Sequence, residues 1–447
     1  MQMSTARGGS SPDITHVGSS NTRFVKGSNT TKPSNTDGKG LLEMLKHPLN
    51  IMLLCIPLGF AAEIFRWGDI PKFWFNFFGM IPLAKILGDA TEELAAGLKN
   101  DMLAGLLNAT FGNAVEMVIT VQTMRKGYYD LVKATLLGSV LSNMLLVLGM
   151  SFFCGGLIAD DNKKSPETPG STDPSGIPRI PPRTEFSTAH FVAEKVQHFH
   201  VLGALVNISM LLLSCFSFMI VTIFCSSRDE DGLPLFVEQV LPVSRAGSLI
   251  VISAYAAYII FQLGTHRASL AVDEEDDEDG EGEPALSLCM STVVLFVTTL
   301  FVAASSELLV GAIEGVTAKN HVGAHFIGII LLPIIGNACE HAAAVRFGIK
   351  DKLGLSIGIA IGSSTQIALF AVPFAVLAGW AVDRPMDLNF GQLNTSIMTV
   401  SVVVVLSMVV DGKSNWLQGY LLMAAYLLVA VCYWYLPGEI AGEGESK

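Results

Sequence analysis

Residues 112–116 read Gly-Asn-Ala-Val-Glu, and residues 336–340 read Gly-Asn-Ala-Cys-Glu. A second pair follows the glutamates at the same distance: Gly138-Ser139-Val140-Leu141-Ser142-Asn143 against Gly362-Ser363-Ser364-Thr365-Gln366. All of these matches superpose with one offset of 224 residues. A single match of this kind carries little weight. Two at a common offset, both inside apolar stretches, mark an internal duplication.

The composition around these motifs is that of a membrane protein. Only 15% of the 447 residues are charged and 51% are hydrophobic, with a mean hydropathy of +0.50. The charges cluster in short segments between long uncharged ones, as expected when the solvent changes along the chain. The net charge of −12 is largely local, because residues 273–283 (DEEDDEDGEGE) hold nine acidic residues and no basic one. No basic patch interleaved with aromatics points to nucleic acid. The seven cysteines are scattered without ligand spacing and read as small buried residues.

A helix needs about 20 mostly apolar residues to cross the hydrocarbon core. Eleven segments qualify, near 48–65, 69–90, 100–124, 130–154, 197–225, 244–265, 286–310, 321–345, 353–380, 394–411 and 415–436. Nothing alternates with the period of a membrane β-barrel. The first motif lies in span three and its copy in span eight. That odd separation makes the two copies cross in opposite directions, an inverted repeat of spans 2–6 and 7–11. The expected fold is therefore an all-α polytopic membrane protein with 11 transmembrane helices. It comprises a disordered cytosolic tail (1–45), a first helix (46–66), a first five-helix repeat (67–268) with a Pro-rich loop (159–196), an acidic cytosolic loop (269–285), a second five-helix repeat (286–437) and a tail (438–447). Basic residues Arg23, Lys26, Lys32, Lys39 and Lys46, with Lys163 and Lys164, place the N-terminus in the cytosol, although Arg125, Lys126 and Lys133 then fall on the other side.

Inverted repeats put substrate near the bilayer midplane, where the halves meet. Asn113 and Glu116 share a helix face at i, i+3, as do Asn337 and Glu340. Ser139, Asn143, Ser363 and Gln366 bring further oxygens on the following helices. Two carboxylates with amide, hydroxyl and carbonyl oxygens form a hard donor set suited to Ca2+, and no His/Cys cluster favours a softer metal. Polar groups such as Ser142 also serve as hydrogen-bond glue between helices, whereas an ionisable residue at mid-bilayer is by default functional.

The paired motifs, the acidic run between two five-helix halves and the extra first helix resemble the cation/proton exchangers of the calcium/cation antiporter superfamily. GNACEHAAAV, with His341 after the glutamate, is similar to fungal and plant vacuolar Ca2+/H+ exchangers. The resemblance covers residues 45–437. It implies that Glu116 and Glu340 bind Ca2+ and protons alternately, with Asn113, Asn337, Ser139, Ser363, Asn143 and Gln366 lining the same site. It also implies a vacuolar membrane, Ca2+ as transported substrate with Mn2+ as a further candidate, and no cofactor. Sodium/calcium exchangers of the superfamily carry Ser/Thr-rich repeats with a Pro before the acidic residue; that pattern is missing here, which favours protons as counter-ion. Glu93 and Glu307, placed at the ends of spans two and seven, are candidates for gating, against a reading of Glu92, Glu93 and Asp89 as interfacial charges. His341 either moves protons or packs beside Glu340. Asp273, Glu274, Glu275, Asp276, Asp277, Glu278 and Asp279 form either a regulatory cation sensor or a solvated linker.

Burial and a second nearby carboxylate both favour protonation, while a divalent cation opposes it, so protons and Ca2+ compete for the same oxygens. The remaining alternatives are a cation channel or an exchanger of other specificity, coupled to Na+ or carrying Mn2+. An intramembrane enzyme lacks support, since Glu340-His341 has no second histidine and no nucleophile–base pair repeats. The oligomeric state is left open by the sequence.

Overall fold

The computed structural model describes residues 36–98, 103–104, 107, 110–158, 195–227, 237–266, 285–320 and 322–436. The acidic residues Asp273–Asp279, the Pro-rich loop at 159–194, the tail at 1–35 and the tail at 437–447 lie outside them.

The described chain is helical apart from turns and one ribbon of two short strands. Its helices are α1 (Thr36–Leu45), α2 (Cys55–Ile64), α3 (Asp69–Gly97) and α4 (Ala114–Arg125). They continue as α5 (Tyr129–Leu157), α6 (Val201–Cys225), α7 (Gln239–Thr265), α8 (Leu288–Asn320), α9 (Ala324–Ile349), α10 (Leu353–Ala381), α11 (Gln392–Val409) and α12 (Trp416–Tyr435). By length and hydropathy, eight helices among the described residues can span a membrane, or nine if the pair bent by 81° at residues 45–48 counts as one. These residues do not confirm the expected count of eleven, because span three, expected near 100–124, lies partly outside them. α3 is long enough but carries Asp69, Lys72, Lys85, Asp89, Glu92 and Glu93, and α4 is the described end of expected span three.

A second departure lies at the start. Residues 36–45, expected as disordered tail, form α1. They are held because Asp37 accepts hydrogen bonds from the Ser287 backbone N–H at 2.7 Å and its hydroxyl at 2.9 Å. A Cβ at Gly40 would collide with the backbone of Ala285, so this approach requires glycine.

Helices α5, α9 and α10 each contain a π-helical turn, at Ser142–Val147, Ile327–Leu331 and Ile367–Ala371. The first and third overlap once the 224-residue offset is applied, so the duplication extends from sequence to a local irregularity. Such turns gather at functional sites because they redirect side chains without ending a helix.

Two buried apolar clusters form the interior. One joins Phe73, Phe77 and Met80 of α3 to Val302, Leu309 and Ile313 of α8. The other joins Leu137, Leu141 and Phe152 of α5 to Leu211 of α6, Ile361 and Leu369 of α10, Val402 of α11 and Tyr433 of α12. α4 and α9 straddle them: α4 gives Val115 and Ile119 to the first cluster and Met124 to the second, and α9 gives Ile335 to the first and Ala344 to the second. The two helices that carry the repeated glutamates therefore lie on the seam. Antiparallel strands β1 (Gln197–His198) and β2 (Lys413–Ser414) staple the segment before α6 to the turn between α11 and α12. Buried Gln197 extends that staple to α9 by donating to Gly348 O at 3.0 Å and to Asp351 Oδ1 at 2.6 Å.

Candidate cation site

The residues singled out in the sequence converge at this seam from four helices. Glu340 on α9 accepts a hydrogen bond from Ser363 Oγ on α10 at 2.6 Å and one from Asn143 Nδ2 on α5 at 2.9 Å. Asn113, just before α4, donates through Nδ2 to Gln366 Oε1 on α10 at 2.9 Å. Asn337 Nδ2 reaches the Ser139 carbonyl at 3.4 Å. Each link joins a residue of one repeat to the other, except Ser363 to Glu340. Seven of the eight expected site residues thus fall into three hydrogen-bonded groups, Glu340 with Ser363 and Asn143, Asn113 with Gln366, and Asn337 with Ser139.

Glu116 is buried in the first turn of α4. Its carboxylate presses on Gly336, where an added Cβ would overlap Oε1, and it stands within electrostatic reach of Glu340. The glycine of the second motif thus gives the glutamate of the first a place to lie. Gly138 plays a similar part, its missing side chain admitting the backbone of Ile329. The glycines let α4, α5 and α9 approach closely enough for the polar groups to meet.

Two oxygens of the cluster have no hydrogen-bond partner among the described residues: Ser139 Oγ and Asn143 Oδ1, both fully buried. A buried polar atom without a partner costs about 1–3 kcal/mol. Next to two carboxylates, such oxygens suit a cation that takes six to eight oxygen ligands in irregular geometry.

The subsidiary candidates fare differently. His341 sits beside Glu340 and its Nε2 lies 3.2 Å from Ser142 Oγ, so Ser142 touches the site's edge. Glu93 is anchored, its Oε2 accepting the Leu286 backbone N–H at 3.0 Å. Glu307, expected at a helix end, is instead exposed within α8, which continues to Asn320. The two are not equivalent positions, since at the 224-residue offset Glu93 matches Thr317 and Glu307 matches Leu83. What the sequence reading passed over is Lys85. It pairs with Asp89 on α3, and this pair, with Glu92, lies within electrostatic reach of Cys339, the residue before Glu340. Its i, i+4 spacing to Asp89 was the available signal.

Comparison with known proteins agrees with this architecture. Residues 72–264 and 290–435 match the family described as sodium/calcium exchanger protein. The chain is 36% identical to a Ca(2+)/H(+) antiporter of Synechocystis sp. over 87% of its length and 97% of the relative's. It is 36% identical to vacuolar cation/proton exchanger 5 of Arabidopsis thaliana, covering 87% of this chain and 81% of that one. A vacuolar calcium ion transporter of Schizosaccharomyces pombe shares 34% identity, over 87% and 85%. Among solved structures, native YfkE superposes with a TM-score of 0.67 at 30% identity, covering 87% of this chain and all of that one. The H+/Ca2+ exchanger CAX shares the fold, with a TM-score of 0.61 at 13% identity over 90% of this chain and 89% of that one. With most of both repeats matched and relatives above 30% identity along 81–97% of their length, this integral membrane chain belongs to the sodium/calcium exchanger protein family.

Proposed function

We propose that this chain is a secondary active antiporter that moves Ca2+ from the cytosol into an acidic organelle in exchange for protons, by alternating access around Glu116 and Glu340. The observation that supports the proposal is that Glu340 of the second motif bonds to Asn143 and Ser363 while buried Glu116 of the first motif lies against Gly336, four residues before Glu340, among buried oxygens without partners. Relatives named as Ca(2+)/H(+) antiporter and vacuolar cation/proton exchanger support both the ion pair and a vacuolar address.

The coupling follows from charge. An empty, doubly ionised site in low dielectric is far more costly to carry across the membrane than one neutralised by two protons or by Ca2+. Neutralised forms reorient; the bare form does not, so inward and outward flows are tied. On the acidic side protons take the carboxylate oxygens and Ca2+ leaves. On the cytosolic side protons leave and Ca2+ enters. Asn143 and Ser363 hold Glu340 in place by donating to it, and Ser139 and Asn143 complete the oxygen set. The tail 1–35 and the acidic run Asp273–Asp279 are placed on the cytosolic face in this scheme.

Proteoliposomes with a pH gradient test it. Glu116→Gln and Glu340→Gln each remove ionisation at nearly constant volume and are expected to abolish proton-driven Ca2+ uptake. Wild-type uptake is expected to stop when an ionophore collapses the gradient. Full uptake by either variant, or Ca2+ flux that persists without the gradient as in a channel, would overturn the reading.

A further inference from the structure

On α4, Thr120 and Thr123 follow Glu116 at i+4 and i+7, so all three occupy one helix face. Both threonines are buried, and neither hydroxyl has a partner among the described residues. That is unusual in this molecule. Thr91, Thr135, Thr299 and Thr399 each donate to the carbonyl four residues back, at 2.7–2.9 Å, which is how a hydroxyl inside a helix is ordinarily satisfied in an apolar setting. Thr120 and Thr123 leave that option unused and hold two oxygens open beside a carboxylate.

The strip also has a direction. Thr120 lies about 6 Å and Thr123 about 10 Å beyond Glu116 along the helix axis. The helix ends at Arg125, and the turn that follows reaches the surface, with Lys126 exposed and Tyr128 half-buried. There Tyr128 donates to the exposed Glu314 of α8 at 2.6 Å; partial burial and this carboxylate push the Tyr128 phenol up to about 12, so it stays a donor. Arg125 and Lys126 flank the same turn, so the mouth carries both signs and recruitment of a cation falls to the oxygens within. Between the two threonines in sequence, Gln122 reaches the Ala303 carbonyl of α8 at 3.5 Å, and Ser305, two residues on from Ala303, is another buried hydroxyl without a partner among the described residues.

The second repeat does not reproduce this feature. The positions equivalent to Thr120 and Thr123 are Ala344, fully buried, and Phe347. Two halves that agree in their glutamates, asparagines, glycines, serines and π turns thus differ on this face. A purely architectural role in helix packing would not call for hydroxyls on one copy and apolar groups on the other.

We propose that Thr120 and Thr123 form a hydroxyl ladder along which Ca2+ passes between Glu116 and the membrane face at which α4 ends, and that the opposite half-path has no such ladder on α9. The proposal rests on the reading of Glu116 as a Ca2+ ligand. A dehydrating divalent cation needs replacement oxygens at each step, and these two supply them outside the site itself.

The test uses the full chain in unidirectionally oriented proteoliposomes, with Ca2+ presented at each face in turn and the pH gradient set accordingly. Thr120→Val/Thr123→Val keeps the shape and removes both hydroxyls. It is expected to lower kcat/KM for Ca2+ presented at the face where α4 ends by about three- to tenfold, with less than about a twofold change at the other face. Thr120→Ser/Thr123→Ser returns the hydroxyls and is expected to restore the lost rate. Unchanged kinetics at both faces, an equal loss at both faces, or no recovery with serine would overturn the ladder. Glu116→Gln in the same vesicles separates the two claims: if it is inactive while the valine variant is normal, the ladder alone fails, and if it transports normally, the underlying site fails with it.

Discussion

At the scale of single residues, the hydroxyl of Ser363 shows how the site is tuned. It donates to Glu340 at 2.6 Å, a charge-assisted bond that fixes the carboxylate and lends it a partner when it is ionised. Ser363→Ala is expected to raise the KM for Ca2+ by about three- to tenfold, since one such bond contributes on the order of 1 kcal/mol; an unchanged KM in vesicle uptake would remove Ser363 from the site. Ser139 has no counterpart bond, its hydroxyl being free of partners among the described residues. Equivalent serines of the two repeats therefore differ in their partners, one donating to a carboxylate and the other unpaired among the described residues.

At the scale of elements, close approach between helices depends on particular glycines. A Cβ at Gly138 would strike the backbone of Ile329, which cannot swing aside, whereas one at the equivalent Gly362 meets open space. Gly138→Ala is expected to cost about 1–3 kcal/mol, read as a lower melting temperature in detergent, and Gly362→Ala to leave it nearly unchanged. This difference marks what the sequence could convey. The two motifs, their offset and the parity of the spans made the pairing of Glu116 with Glu340 legible, because an ionisable residue inside an apolar helix is costly and its duplication points to a task shared by both halves. The side chain lying on Gly336, the unequal roles of Gly138 and Gly362, and the exposure of Glu307 within α8 were not legible, because each depends on how antiparallel helices meet and not on the spacing within either one. The helix at Thr36–Leu45 was hidden for the same reason: its hold on Ser287 spans 250 residues. Eleven apolar segments could be counted, yet α3 owes its place to packing more than to hydropathy, as its charges show.

At the scale of the whole molecule, one buried cation ties the two repeats together. Lys133 of α5 pairs with Asp130 at 3.0 Å and with Asp387, in the segment between α10 and α11, at 3.3 Å. The same segment inserts Met386, Leu388 and Phe390 into the larger apolar cluster. Lys133→Met strands Asp387 in a largely buried place and is expected to destabilise the protein by about 3 kcal/mol, with partial recovery in Lys133→Met/Asp387→Asn, both measured by thermal unfolding. The larger cluster is thus pinned at Lys133 on one side and by Gln197 and the β1–β2 staple on the other. Against so fixed a frame, the π turns at Ser142–Val147 and Ile367–Ala371 act as slack in a taut rope. Each stores one residue more than an α turn needs. Passing that surplus one turn along would swivel the side chains between by about 100° while both ends of the helix stay moored. Asn143 and Gln366, at the start of these turns, would then trade places with their neighbours at the cation by rotation alone, with no need for α5 or α10 to travel.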